Sequence, residues 1–370
     1  MPRAYQGSFI TTTPITPSGP YQCSTASGVW TIEQMVGWQN AGLWPTAGNA
    51  YGTVGIFALG YTTVASTTRN KYTFSSCVNA TATAASAASQ AGSAAGNVTV
   101  GIFALGNCTT TRNKYTYSGD VNASATASSA TSQNSSAAGN STVGIFALGN
   151  LSGTGATTTR NKYTYSGCFN TTATAASAAS QSGSAAGNST VGIFNLGSNS
   201  TTRDKYTYSG CVVSSGAAAT AANRFGSAAG NATVGIFALG GTLCASTTRN
   251  KYTFSSCVNA TATASSAASF YGSAAGNSTV GIFALGNCTT TRNKYTYSGD
   301  VNASATASNA ASFYGSAAGN STVGIFALGN STTTRNKYTY SGCVNATATA
   351  ASAASQSGSA ASNGTTGVNV

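Results

Sequence analysis

Val143-Gly144-Ile145-Phe146-Ala147-Leu148-Gly149 places Ile145 and Ala147 on one side of an extended chain and Phe146 and Leu148 on the other, all four apolar. A segment apolar on both faces predicts a strand in the middle of a buried sheet. The motif Gly-Ile-Phe-x-Leu-Gly recurs from Gly55, Gly101, Gly144, Gly192, Gly235, Gly281 and Gly324. Each copy is followed by Arg-Asn/Asp-Lys-Tyr-Thr-Tyr/Phe, starting at Arg69, Arg112, Arg160, Arg203, Arg249, Arg292 and Arg335. The unit is 43 residues from Gly101 to Gly144 and 48 from Gly144 to Gly192, so a repeat architecture is read before any single residue.

Within a unit the second motif alternates differently. Arg69, Lys71 and Thr73 fall on one side and Asn70, Tyr72 and Phe74 on the other, which predicts a strand with one wet, basic edge or face. A turn-like Ser-Gly-Cys/Asp-Val-Asn follows, then a small-residue stretch such as 81–89, then Ser-Ala-Ala-Gly-Asn leading into the next apolar strand. Four strands result: a (Ser-Ala-Ala-Gly), b (the apolar motif), c (the Arg-Lys motif) and d (the Ala/Thr/Ser stretch). Four antiparallel strands per unit suit a propeller blade. A β-solenoid of seven coils is the alternative. Helix is a poor reading of strand d, whose Thr and Ser interrupt any apolar stripe.

The chain end supports a ring. Residues 359–363, Ser-Ala-Ala-Ser-Asn, restate strand a with no complete eighth unit after them, so they are expected to complete the first blade.

Composition narrows the function classes. Only 5% of the 370 residues are charged, and the net charge of +12 comes from 16 Lys and Arg against 4 Asp and Glu. Fourteen of the cations belong to the seven Arg-x-Lys motifs, leaving Arg3 and Arg224. With Glu33, Asp120, Asp204 and Asp300 as the acids, most cations must meet water, carbonyl oxygens or an external anion. Recurrence in every unit favours a structural role for them, on neighbouring carbonyls or packed over blade edges. There is no histidine and no Cys-x-x-Cys, so no metal or other cofactor is expected, and general acid–base chemistry has few candidates. The nine cysteines mostly recur at equivalent positions of separate units, which predicts free thiols. No apolar run approaches 18 residues and no charged leader precedes one, so neither membrane insertion nor secretion is expected. A basic ring could meet nucleic acid, but no known module is visible.

Residues 1–45 read as a separate arm. Four of the five prolines precede residue 27, Thr31 and Gln34 have capping-box spacing, and a short helix is expected over 32–41 before Pro45. Trp30, Trp38 and Trp44 all lie here, either plugging one mouth of the repeat domain, 46–370, or anchoring a neighbouring subunit.

Variation singles out one surface. From each motif Arg to the next motif Gly the distance is always 32 residues, as from Arg69 to Gly101, so all length variation lies between strands b and c. A second site varies in type at fixed length, just before strand a. Its pairs are Gln90-Ala91, Gln133-Asn134, Gln181-Ser182, Arg224-Phe225, Phe270-Tyr271, Phe313-Tyr314 and Gln356-Ser357. Both sites fall on the same face of an up-and-down blade. Arg224, Phe225, Phe270, Tyr271, Phe313 and Tyr314 therefore form the candidate binding patch, since aromatic faces backed by a cation suit sugar rings and anionic glycans. The competing reading is that the rings fill space between blades.

A small strand a, an apolar strand b ending in glycine and an aromatic strand c resemble kelch-type propeller repeats over residues 46–370. The doubled glycine of that pattern survives only as Gly240-Gly241, and its strand-d tryptophan is missing. The Ser-, Thr- and Ala-rich units with Thr-Thr-Arg-Asn-Lys-Tyr-Thr-Tyr look like those of tail-fibre and other virion proteins of marine tailed bacteriophages. The string from Ser27 to Gln34, closing with Ala41-Gly42-Leu43-Trp44-Pro45, is similar to a segment near the N termini of phage structural proteins. The resemblance implies a seven-bladed, kelch-like, all-β propeller in a virion, non-enzymatic, acting as a tail fibre or tip adhesin on a host-surface polysaccharide. It also implies docking to other virion proteins through the arm and a homo-oligomer in the particle. The alternative is a structural scaffold or capsid decoration protein.

Overall fold

The computed structural model describes residues 53–61, 63–151, 155–167, 169–210, 212–242, 244–342 and 344–363. The docking tryptophans Trp30, Trp38 and Trp44 and the helix expected over 32–41 lie outside them. The described chain is a seven-bladed β-propeller: seven four-stranded antiparallel sheets, plus a two-stranded ladder in one loop. In blade 2, strand a is Ser93–Gly96, b is Val100–Ala104, c is Arg112–Thr116 and d is Val121–Ala125. No described residue lies in a helix.

The solenoid alternative fails on connectivity. Blade 1 takes its strand a from the far end of the chain, with Ser359–Ser362 pairing antiparallel to Val54–Ala58 and Ile56 opposite Ala361. Even the turn is reproduced across this break. In blade 2 the Asn97 Oδ1 accepts the amides of Thr99 and Val100, shaping the a–b hairpin. At the seam, with no hairpin to shape, Asn363 Oδ1 accepts the Val54 amide at 3.0 Å.

The core lies between blades rather than at the centre. Val100, Ile102 and Ala104 of blade 2 pack against Phe146, Leu148, Tyr163 and Tyr165 of blade 3, and the other six junctions repeat this pairing of an aliphatic face with an aromatic one. Each fully buried Ile or Phe contributes about 1.5–3 kcal/mol, so every blade needs both neighbours. Strand b needs glycine where neighbours crowd it: a Cβ at Gly101 would lie 2.8 Å from Tyr117 Oη of its own blade and 3.1 Å from the Ala361 Cβ of blade 1.

Strand c departs from the wet, basic face expected of it. All seven motif arginines are buried in the junctions. Each guanidinium stacks on the strand-b phenylalanine of the following blade, Arg69 on Phe103 at 4.6 Å for instance, and Arg335 on Phe57 at 4.5 Å. Arg69 Nη1 donates to Asn122 Oδ1 at 2.6 Å and Nη2 to Asn113 Oδ1 at 3.1 Å, both in blade 2. The carbonyl oxygens that the composition demanded are thus asparagine amides across the junction. Blade 4 substitutes a carboxylate, and Arg160 Nη2 lies 3.0 Å from Asp204 Oδ2. Burial pulls the Arg69 guanidinium below its ordinary value, and it remains a cation at neutral pH. The lysines also cross junctions: Lys71 Nζ donates to the Tyr117 carbonyl, Lys205 Nζ to Cys257 Sγ and Lys337 Nζ to Cys77 Sγ.

Strand d is shifted from its expected place. It is Val78–Ala82 in blade 1, beginning right after the turn at Cys77, whereas the following small residues return beside the b–c loop through Ala85 N to Thr67 O and Ser89 N to Ser66 O. The described cysteines, Cys77, Cys108, Cys244, Cys257 and Cys288, are free thiols.

Candidate ligand-binding site at one mouth of the axis

The connection from strand d to the next strand a has one shape in all seven blades. Its first residue bridges the glycine that ends strand b, as Gln90 does Gly106 and Phe270 does Gly286. Its second residue turns left-handed: Ala91, Asn134, Ser182, Phe225, Tyr271, Tyr314 and Ser357 all have φ between 50° and 56°. The Ala91 amide donates to the Ser357 carbonyl, that of Ser357 to Tyr314, and so on through Tyr271, Phe225, Ser182 and Asn134 back to Ala91. Seven backbone hydrogen bonds of 2.8–3.2 Å thus close a ring around the axis.

The b–c loops share this face. Asn107 N donates to the Gln90 carbonyl and Cys108 N to Ser132 O, tying the short loop of blade 2 to the connection beside it. That loop turns through Asn107 and Cys108, both at positive φ, the pattern of a type I′ hairpin. The longer loop of blade 3 adds the ladder of Asn150–Leu151 with Gly155–Ala156. Length variation and type variation therefore meet on one surface, as the spacing predicts.

Side chains divide this mouth in two. Three consecutive blades supply aromatics and four supply Ala91, Asn134, Ser182 and Ser357. Tyr271 lies between Phe225 and Tyr314, with ring centroids at 4.0 and 3.6 Å and interplanar angles of 38° and 37°. Phe270 and Phe313 meet this stack edge-on, 4.4 Å from Tyr271 and 4.7 Å from Tyr314. The Arg224 guanidinium covers Phe225 at 4.5 Å. All six candidate residues are half-buried and in mutual contact: Phe225, Tyr271 and Tyr314 line the axial mouth, while Arg224, Phe270 and Phe313 touch those rings without lining it. Burial and the neighbouring Tyr271 hydroxyl push the Tyr314 phenol up, with Arg224 opposing.

A cavity of about 160 Å³ opens here, lined by the stack on one side and by the small residues on the other. The opposite mouth has a larger space of about 330 Å³, but its lining is Gly, Ala, Ser and the Asn residues of the a–b turns. Among those, Asn188, Asn231 and Asn277 already donate to carbonyls of the next blade. The aromatic mouth is the one with chemistry to offer.

Sequence reading missed two parts of this site. Gln90, Gln133, Gln181 and Gln356 hold the bridging position next to the cavity-lining residue in four blades, and their constancy among otherwise varied pairs is the signal that could have found them. The left-handed backbone was not legible, because no glycine marks it.

The chain matches no family model and no curated protein. Among solved structures it is similar to one described as the structure of YjhT, a propeller-like protein, with a TM-score of 0.52 and 10% identity over 65% of this chain and 90% of that one. At that identity the likeness concerns the fold alone.

Proposed function

We propose that this protein is a non-enzymatic virion component of a tailed bacteriophage, a tail fibre or tip adhesin that presents its aromatic axial mouth to a host-surface glycan. The carrying observation is the placement of Phe225, Tyr271 and Tyr314 at left-handed positions. Such a backbone costs an aromatic residue about 1–2 kcal/mol, and the hydrogen-bond ring does not need the side chain, since Ala91 and Ser357 serve it equally. The strained backbone is common to all seven connections, but large rings occupy it in only three, so the fold does not require them and binding accounts for them. Non-enzymatic action is favoured by the carboxylates: Asp204 is held by Arg160 and Ser177, while Asp120 and Asp300 sit on separate c–d turns of the far face.

The test is binding of the full chain to a glycan array, compared with the triple variant Phe225→Ala, Tyr271→Ala, Tyr314→Ala. Binding lost in the variant supports the adhesin; no binding by the unaltered chain removes it.

The scaffold reading draws on a different surface. Val78, Val121, Phe169, Val258, Val301 and Val344, each at the start of a strand d near the opposite face, are 52–68% exposed. A density map of the parent particle separates the two: an adhesin leaves the aromatic mouth free, whereas a scaffold covers it.

A further inference from the structure

Every motif guanidinium is spoken for. Arg69, Arg112, Arg203, Arg249, Arg292 and Arg335 donate to asparagine oxygens across a junction, and Arg160 pairs with Asp204. Among the described residues Arg224 alone of the arginines has neither a hydrogen bond nor an ion pair; its Nε is shielded from water and unpartnered. Its contact is the Phe225 ring. A guanidinium held over an aromatic face leaves its two Nη groups for a carboxylate or sulfate.

We propose that the mouth takes an anionic pyranose, its ring against the Tyr271–Tyr314 stack and its carboxylate or sulfate on Arg224. This rests on the glycan reading above and adds the charge of the sugar. Three observations carry it. The first is the unpartnered guanidinium, which fold formation does not require: the equivalent residue is Gln90, Gln133, Gln181 or Gln356 in four blades and Phe270 or Phe313 in two. The second is the electrostatic setting. No described carboxylate lies on this face, because Asp120 and Asp300 are in c–d turns at the other end and Asp204 is buried with Arg160. An anion arriving here meets one unopposed cation and no repulsion. The third is shape: about 160 Å³ between the rings of Phe225, Tyr271 and Tyr314 and a polar wall of Asn134, Ser135, Ser182 and Ser357 suits a single ring with one apolar face and hydroxyls on its rim.

The experiment measures affinity of the full chain by calorimetry for two matched pairs: a glucuronate-containing oligosaccharide with its carboxyl-reduced form, and a sulfated galactose oligosaccharide with its desulfated form. The charged member of one pair is expected to bind at least about tenfold more tightly, a preference that shrinks with added salt. Which pair shows it distinguishes carboxylate from sulfate. In Arg224→Gln, a change to the residue found in four sister blades, the preference falls to near unity because the charged member loses more affinity than the neutral one. Arg224→Lys keeps part of it. Equal binding of charged and neutral members by the unaltered chain overturns the anionic assignment and leaves the glycan reading standing. Binding of neither pair overturns both, and a preference that survives Arg224→Gln removes Arg224 from the site.

Discussion

The Arg335 guanidinium lies 4.5 Å from the centre of the Phe57 ring, joining the last blade to the first as each preceding blade is joined to the next. Its Nη1 donates to Asn79 Oδ1 at 2.7 Å and its Nη2 to Asn70 Oδ1 at 3.2 Å, the partners repeated at other junctions. Chain closure is therefore carried by two systems, this clamp and the strand Ser359–Ser362.

Removing that strand tests their relative weight. Truncation before residue 356 strips the partner from Val54–Ala58, leaves its amides unpaired, and uncovers the packing around Phe57. Each buried amide left unsatisfied costs about 1–3 kcal/mol, so the truncated chain is expected to melt far below the full chain or to aggregate. Unchanged melting by circular dichroism would show that the clamp alone closes the ring.

Asp204 offers a graded test of the junction. Asparagine occupies its position in the other six blades, but there a second asparagine such as Asn122 also meets the guanidinium, where blade 4 has Val213, so Asp204→Asn is expected to cost about 1–3 kcal/mol. Asp204→Ala leaves Arg160 buried and uncompensated, a loss of about 3–5 kcal/mol. Denaturant unfolding of the two variants reads the difference, and equal effects would contradict the account of the clamp.

Alkaline pH should unfold the ring. Burial raises the phenols of Tyr117, Tyr165, Tyr208, Tyr297 and Tyr340 well above their ordinary value. A raised folded value means that the native state keeps protons which the unfolded chain releases above about pH 10, so stability present below that pH is lost as pH rises through it. The buried guanidiniums are shifted down and act in the opposite sense, but arginine stays protonated in proteins, and the tyrosines decide. Phenolate absorbance is expected to appear together with loss of the β-sheet signal. A smooth phenol titration with the sheet intact would contradict this.

At the mouth, replacement should separate binding from folding. Phe225→Ala, Tyr271→Ala and Tyr314→Ala adopt the residue already found at the left-handed position of Ala91. The melting temperature is expected to hold within a few degrees while glycan affinity drops by more than about tenfold, since each stacked ring adds about 0.5–1.5 kcal/mol beyond its burial. Unfolding of the triple variant would make the stack a structural plug.

Much of this was legible in one repeat. The two-faced apolarity of Ile145 to Leu148 placed strand b, the repeat count fixed the blades, and the orphan Ser359–Asn363 predicted the seam. The structural role of the arginines was legible from their recurrence, but the wet face expected of strand c was not there, because alternation gives the face of a side chain but not what covers that face. What covers Arg69 is Phe103 and Asn113, some 35 to 45 positions away and in another sheet. The patch was found through its variation, yet its position over the axis was hidden: no local pattern marks Phe225 or Tyr271 as left-handed.

The circuit of seven peptide hydrogen bonds fixes a number, not a length. Repeats this alike invite unequal crossing-over in their gene, which would add or remove whole units while keeping every local sequence sensible. A six-unit or eight-unit product would arrive with each blade intact, its donor facing a carbonyl at the wrong angle all the way round. Loops between strands b and c vary in length outside the circuit, whereas a change in blade count would reset every hydrogen bond in it.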